Sequence, residues 1–371
     1  MRGTRRNPRV RLLRALMVSL TLTCVGGLAP PATAWERPPV LVTGDRIGAI
    51  LTDGSMLVLS ADDGTVLFKS AAAASLPATA GQLTVSTATR SLYSLVLTAS
   101  GAAIKALNLE DLSERTVQTL TDASYVAIAV GKRSRNLYVF GSHGLHVKVL
   151  SPADGSLVRL LTGSGRQSDL SVFDGAVSDD EQRVYLSYHG FGTGIDWFDI
   201  SSKAPVACTG QRNAMTGCLL AHGRFVVEGA RVLAATGEAH LVELDLATLK
   251  QRSLDTGLHG NHLMEFAFDR PRGVAYALGA CDYAGGLSAA GSRAGAPRVL
   301  VPPGDYRICG DTIDVSADGR WMVVGARATT IGGPGLSANL SARLLVIDVA
   351  SGVVRRTIAL PSAPLDVVTL Q

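Results

Sequence analysis

A polar hairpin turn that returns at a near-constant interval limits what this chain can fold into more than any other feature. Apolar residues run up to the turn and resume beyond it in Leu59-Ser-Ala-Asp-Asp-Gly64-Thr-Val, Leu150-Ser-Pro-Ala-Asp-Gly155-Ser-Leu and Ile347-Asp-Val-Ala-Ser-Gly352-Val-Val. Leu112, Lys203, Leu249 and Gly304 take the same register with weaker turn residues, so the seven positions are separated by 48, 43, 48, 46, 55 and 48 residues. A unit of that length cannot bury its own apolar faces, and several copies must stack.

A second landmark keeps the same phase. An arginine followed by an apolar-aromatic pair recurs in Arg90-Ser-Leu-Tyr93, Arg135-Asn-Leu-Tyr138, Arg183-Val-Tyr185, Arg272-Gly-Val-Ala-Tyr276 and Arg320-Trp321. The third unit shows the layout, with apolar runs at 126–130, 137–140, 146–150 and 157–161 separated by turn residues. Short runs rich in Val, Leu, Ile and Tyr, bounded by Gly, Asp, Ser and Pro, are strands of an antiparallel meander. No stretch beyond the first residues repeats its apolar positions at helical spacing. The expected fold is therefore all-β, a seven-bladed β-propeller in which each unit is one four-stranded blade.

The two ends of the chain predict how the ring closes. The first unit has clear strands at 47–51 and 56–59, yet its innermost strand is poorly accounted for. At the other end Leu360 to Leu370 resembles the stretch Leu120 to Val130 that opens a unit, so residues 365–370 are an opening strand with no unit of their own. Pairing that tail into the first blade leaves no long sheet edge exposed. Residues 40–43 are the alternative for the same place.

Strand, Asp-Gly-Arg turn, strand, then apolar-Asp and a Gly turn, as in Ile313-Asp-Val-Ser-Ala-Asp-Gly-Arg-Trp-Met-Val-Val324 and Leu344-Leu-Val-Ile-Asp-Val-Ala-Ser-Gly352, resembles the YVTN-type seven-bladed propellers, relatives of WD-repeat proteins. The YVTN tetrapeptide itself is absent. The resemblance implies the fold over most of the chain. It leaves three activities open: surface binding proteins, metal-dependent lactonases, and the non-catalytic large subunit of periplasmic amine-dehydrogenase-like redox enzymes.

Residues 1–34 read as a secretory signal peptide. Arg2, Arg5, Arg6, Arg9, Arg11 and Arg14 precede an uncharged apolar run that ends in Ala32-Thr33-Ala34. The expectation is one propeller domain over 35–371, secreted, periplasmic or at the extracellular surface, with no transmembrane segment in the mature chain. Without those six arginines the 35 basic residues become 29 against 31 acids, a charge of −2. Such a chain offers no basic face for a nucleic acid. Four cysteines remain, Cys208, Cys218, Cys281 and Cys309, and an even number in an exported protein favours two disulfides. Pairing 208 with 218 and 281 with 309 would place both on one rim.

That rim also gathers the candidate site residues. The loops between second and third strands, and those leading to the next blade, share one face of a propeller. His189, Asp282, Tyr283, Asp305, Arg307, Asp311, Asp314 and Arg327 lie near it or in inner strands, and Gly/Ala/Ser-rich insertions at 282–297 and 327–342 border it. A protein or small-molecule ligand is expected there. Asp314, between Ile313 and Val315, is placed to face the central tunnel, with the ordinary role of bonding a neighbouring blade. His259, His262 and Glu265 lie close together at the entry to the sixth blade and are the candidate ligands for a divalent metal. No nucleophile elbow, phosphate loop, zincin motif or dinucleotide fingerprint occurs.

Overall fold

The computed structural model describes residues 44–370 apart from 72–79, 100, 122–123, 163–170, 190–193, 203–223, 236–239, 249, 259–262, 280–285, 292–295, 303–311, 327–328, 334–335 and 341. The chain from Pro39 onward is one compact unit. It is a seven-bladed β-propeller, with no helix among the described residues.

The first blade contains β1 (Arg46–Leu51), β2 (Met56–Ser60) and β3 (Val66–Lys69). The second is β4 (Ala80–Ser86), β5 (Ser91–Thr98), β6 (Gly101–Asn108) and β7 (Glu114–Leu120). The third is β8 (Tyr125–Val130), β9 (Leu137–Gly141), β10 (His146–Leu150) and β11 (Leu157–Thr162), within a residue of the runs read from the sequence. The fourth has three strands among the described residues, β12 (Ser171–Val177), β13 (Arg183–His189) and β14 (Gly194–Asp199). The fifth is β15 (Phe225–Glu228), β16 (Arg231–Ala235), β17 (His240–Asp245) and β18 (Gln251–Asp255). The sixth is β19 (Leu263–Asp269), β20 (Val274–Gly279), β21 (Leu287–Gly291) and β22 (Arg298–Val301). The seventh is β23 (Thr312–Val315), β24 (Trp321–Ala326), a small hairpin of β25 (Thr329–Gly333) and β26 (Leu336–Leu340), β27 (Arg343–Asp348) and β28 (Val354–Ala359).

The last strand, β29 (Pro364–Leu370), closes the ring. It pairs antiparallel with β1, from Arg46 opposite Leu370 to Leu51 opposite Pro364, and is the innermost strand of the first blade. The C-terminal closure expected from the tail is what forms.

Two details of the expected layout are corrected. The outer hairpin of the sixth blade turns between β21 and β22, so Gly304, which follows β22, is not its landmark. The stretch 282–297 is not one long loop, because β21 lies within it, and 327–342 carries the hairpin of β25 and β26. Both stretches are rich in Gly, Ala and Ser, which hid their strands.

Seven buried apolar clusters lie among the described residues, and each spans two adjoining blades. Tyr93 and Leu95 meet Tyr125 and Val139 between blades two and three. Trp321 and Val323 meet Ile47 and Val367 across the closing seam. Burying a Leu, Val or Phe contributes about 1.5–3 kcal/mol, so these interfaces hold the ring together. The packing is tight enough to fix single residues. A Cβ on Gly175 in β12 would sit 2.3 Å from the Phe140 ring of the preceding blade, so no larger residue fits there.

Candidate functional site

Innermost strands leave one edge unpaired, and seven such edges face the propeller axis. Their free N–H groups need acceptors, since an orphaned buried donor costs about 1–3 kcal/mol. The chain supplies them from side chains of the neighbouring blade. Asp314 of blade seven accepts from Thr369 N of blade one at 2.7 Å and from the Thr369 hydroxyl at 2.9 Å. Asp366 of blade one accepts from Leu83 N of blade two at 2.7 Å. Gln82 of blade two accepts from Ile128 N of blade three at 2.5 Å. Asp174 of blade four accepts from the backbone of Phe225 in blade five, and also from Gln82 Nε2 at 3.1 Å.

Local backbone geometry aims these groups. In β8, β12, β19 and β29 one residue is extra relative to the second strand, opposite the register shifts beside Ala127, Asp174, Glu265 and Asp366. A bulge bends its strand and re-aims the side chain that follows. Three of those four following residues are carboxylates.

Arg224, which leads into β15, occupies the middle of the cluster. Its Nη2 lies 2.8 Å from Asp366 Oδ1, and its Nε lies 3.3 Å from Glu265 Oε2. Burial opposes the charge of this guanidinium, but Asp366, Glu265 and Asp174 more than offset that and raise its pKa. Its side chain is 32 % exposed, and that exposure is to a cavity it lines. Asp366 is tied further to the Thr312 hydroxyl at 3.1 Å, so one side chain on the closing strand reaches blades two, five and seven.

The cavity measures about 330 Å³ and is walled by inner-strand residues, among them Gln82, Asp174, Arg224, Glu265, Asp314 and Asp366. Burial drives Glu265, Asp314 and Asp174 toward their neutral forms. Glu265 is pushed up to about 8 by burial, with Arg224 opposing and Asp366 adding. Asp314 rises to about 6 through burial, against the bonds from Thr369. Asp174 is also raised by burial, with Arg224 opposing. An acid displaced upward by burial and placed in a cavity is the arrangement found at functional sites.

Of the residues singled out in the sequence, Glu265 and Asp314 come together on this cavity wall. Asp314 does bond the neighbouring blade, as its ordinary role predicted. His189 ends β13, and its side chain is outside the described residues. His259, His262, Asp282, Tyr283, Asp305, Arg307, Asp311, Arg327 and the four cysteines Cys208, Cys218, Cys281 and Cys309 also lie outside them. Among the described residues no group of three His, Cys, Asp or Glu side chains is placed to hold a metal ion. Sequence reasoning missed Gln82, Asp174, Arg224 and Asp366. The signal available was a polar residue interrupting the first, otherwise apolar strand of a unit, as in Ser-Val-Phe-Asp174-Gly and Pro-Leu-Asp366-Val.

No family model matches this chain, and no curated protein is similar to it in sequence. Solved structures share its fold at low identity. A candidate 6-phosphogluconolactonase from Bacteroides uniformis has a TM-score of 0.59 at 13 % identity, over 88 % of this chain and 100 % of that one. The WD40 repeats of RRP9 give 0.56 at 16 % identity, over 81 % of this chain and 90 % of that one. Dihydro-heme d1 dehydrogenase NirN gives 0.57 at 13 % identity, over 87 % of this chain and 74 % of that one. Likeness at this level establishes the propeller and carries no activity across.

Proposed function

We propose that this chain is an exported, YVTN-like propeller that works as a binding module, with a small polar ligand seated in the axial cavity beneath the rim. The observation that carries the reading is Arg224, a half-buried guanidinium held between carboxylates of blades one and six and facing a cavity of about 330 Å³. That volume is in the range of small-molecule sites. The signal-like first residues and the even number of remaining cysteines support export.

The reading is tested by a thermal-shift panel of amines, polyols, carboxylates and lactones on the full chain, with metal analysis of the same protein. At least one class raises the melting temperature of the wild type and does so much less for Arg224→Gln. Arg224→Lys, which keeps the charge and loses the fork, is the second variant should the first fold poorly. Lactone turnover with a stoichiometric divalent ion would overturn the binding reading in favour of a hydrolase. A panel in which no compound shifts the wild type would overturn it altogether.

A further inference from the structure

The four carboxylates on the cavity wall are not equivalent. Asp174, Asp314 and Asp366 each accept a backbone N–H from the next blade in the ring, so each has a structural task. Glu265, only 6 % exposed, has no such bond to the next blade among the described residues. Its Oε1 accepts from the N–H of its own successor, Phe266, at 3.3 Å, and its Oε2 stands 3.3 Å from Arg224 Nε. Both are at the long limit for a hydrogen bond, against 2.7 Å for Asp314 and for Asp366 to backbone N–H groups. A buried carboxylate that closes no seam and is held loosely has acceptor capacity to spare.

Carboxyl groups also outnumber cations among the described lining residues. Asp174, Glu265, Asp314 and Asp366 share the wall with Arg224, while Arg270, the other described cation there, is paired with Glu228 at 2.8 Å. The acids come from four different inner strands and do not converge, since no three of the described His, Cys, Asp or Glu side chains are placed to hold a metal ion. Dispersed acceptors suit dispersed donors. Leu83, Ile128 and Ile313 on the same wall offer apolar surface between them. The volume corresponds to roughly ten waters, enough for a short chain with a donor at each end.

Resting on the binding reading above, we infer that the axial cavity takes a small organic cation of diamine size, with Glu265 as its anchoring carboxylate. An ammonium group meets the oxygens of Glu265 and favours the ionised form of a carboxyl that burial otherwise holds neutral. An anion of the same length meets the ionised acids as repulsion.

The test is calorimetric titration of the full chain at about pH 9, where Glu265 is ionised, with 1,4-diaminobutane, and with butane-1,4-diol and succinate as neutral and anionic compounds of matched length. The expected order is diamine first, with the other two at least about 100-fold weaker, as a charge-assisted contact worth about 3 kcal/mol implies. Glu265→Gln weakens the diamine at least about tenfold, and Glu265→Asp, which keeps the charge, restores part of the loss. Equal diamine binding by wild type and Glu265→Gln overturns the anchor. Tighter binding of diol or succinate, abolished by Arg224→Gln, overturns the cationic class and leaves the binding reading standing. Failure of all three probes overturns the cationic class. The binding reading falls only if the wider panel fails as well.

Discussion

Asp366 and Glu265 follow a bulge at the same place in their strands, yet one fastens the ring and the other leaves it unfastened. Asp366 bonds the backbone of blade two, the hydroxyl of Thr312 in blade seven and the guanidinium of Arg224 ahead of blade five. Glu265 shares the same Arg224 but bonds no backbone of the following blade among the described residues. The difference shows that an axial acid is not by itself a sign of function. Where the acid caps an exposed edge, fold stability explains it. Where it does not, its burial is a cost that some other interaction must justify.

The largest expected effect attacks the fastened side. Deleting the last eight residues removes β29, exposes the inner edge of β1 and strips Val367, Asp366 and Leu370, all 1 % exposed, from their clusters. The outcome is insoluble protein, or a melting temperature lower by more than about 10 °C, read by far-UV circular dichroism. A truncated chain that melts as the full one does would break the closure. The point substitution Asp366→Ala is next. It leaves the Leu83 N–H without its acceptor and Arg224 without its closest partner, an expected loss of about 3–5 kcal/mol in denaturant unfolding. A loss below about 1 kcal/mol would erase the distinction between the two acids.

The two sides were unequally legible in the sequence. Strand periodicity and recurring turns give the blades because each unit repeats the same local physics, and the tail announces closure because an opening strand without a unit needs a partner. Runs rich in small residues defeat that reading. Leu287–Gly291 pairs as a strand although its Gly and Ala side chains give little alternation. The axial cluster is harder still, because no two of its members are near in sequence. Asp314 was legible from its alternation with Ile313 and Val315. Glu265 was legible only as a neighbour of His259 and His262, and its partner Arg224 had no signal apart from lying before a strand. Across-axis proximity comes from ring closure, and spacing along the chain does not encode it.

A gentler pair of measurements sharpens the comparison on the unfastened side. The folded-state pKa of Glu265 is raised to about 8 from an ordinary 4.5, and that of Asp314 to about 6 from 3.8. An acid that holds its proton more tightly when folded contributes stability that is complete below its unfolded pKa and is lost as pH rises through its folded one. Stability therefore falls between about pH 5 and pH 9, with the upper part of the fall due to Glu265. Arg224, Asp366 and Asp174 are the charged groups that bear on it. Exposed acids held low by turn bonds, such as Asp63, Asp199 and Asp348 at about 2, act only at far lower pH. Glu265→Gln copies the neutral acid, so at pH 6 its melting temperature stays within a few degrees of the wild type, a change of about 1 kcal/mol or less. At pH 9 the same variant is the more stable of the two, because the wild type then carries an ionised group that closes no seam. Parallel melting curves for the two proteins across this range would place the burial cost elsewhere and put Glu265 in the same class as Asp366.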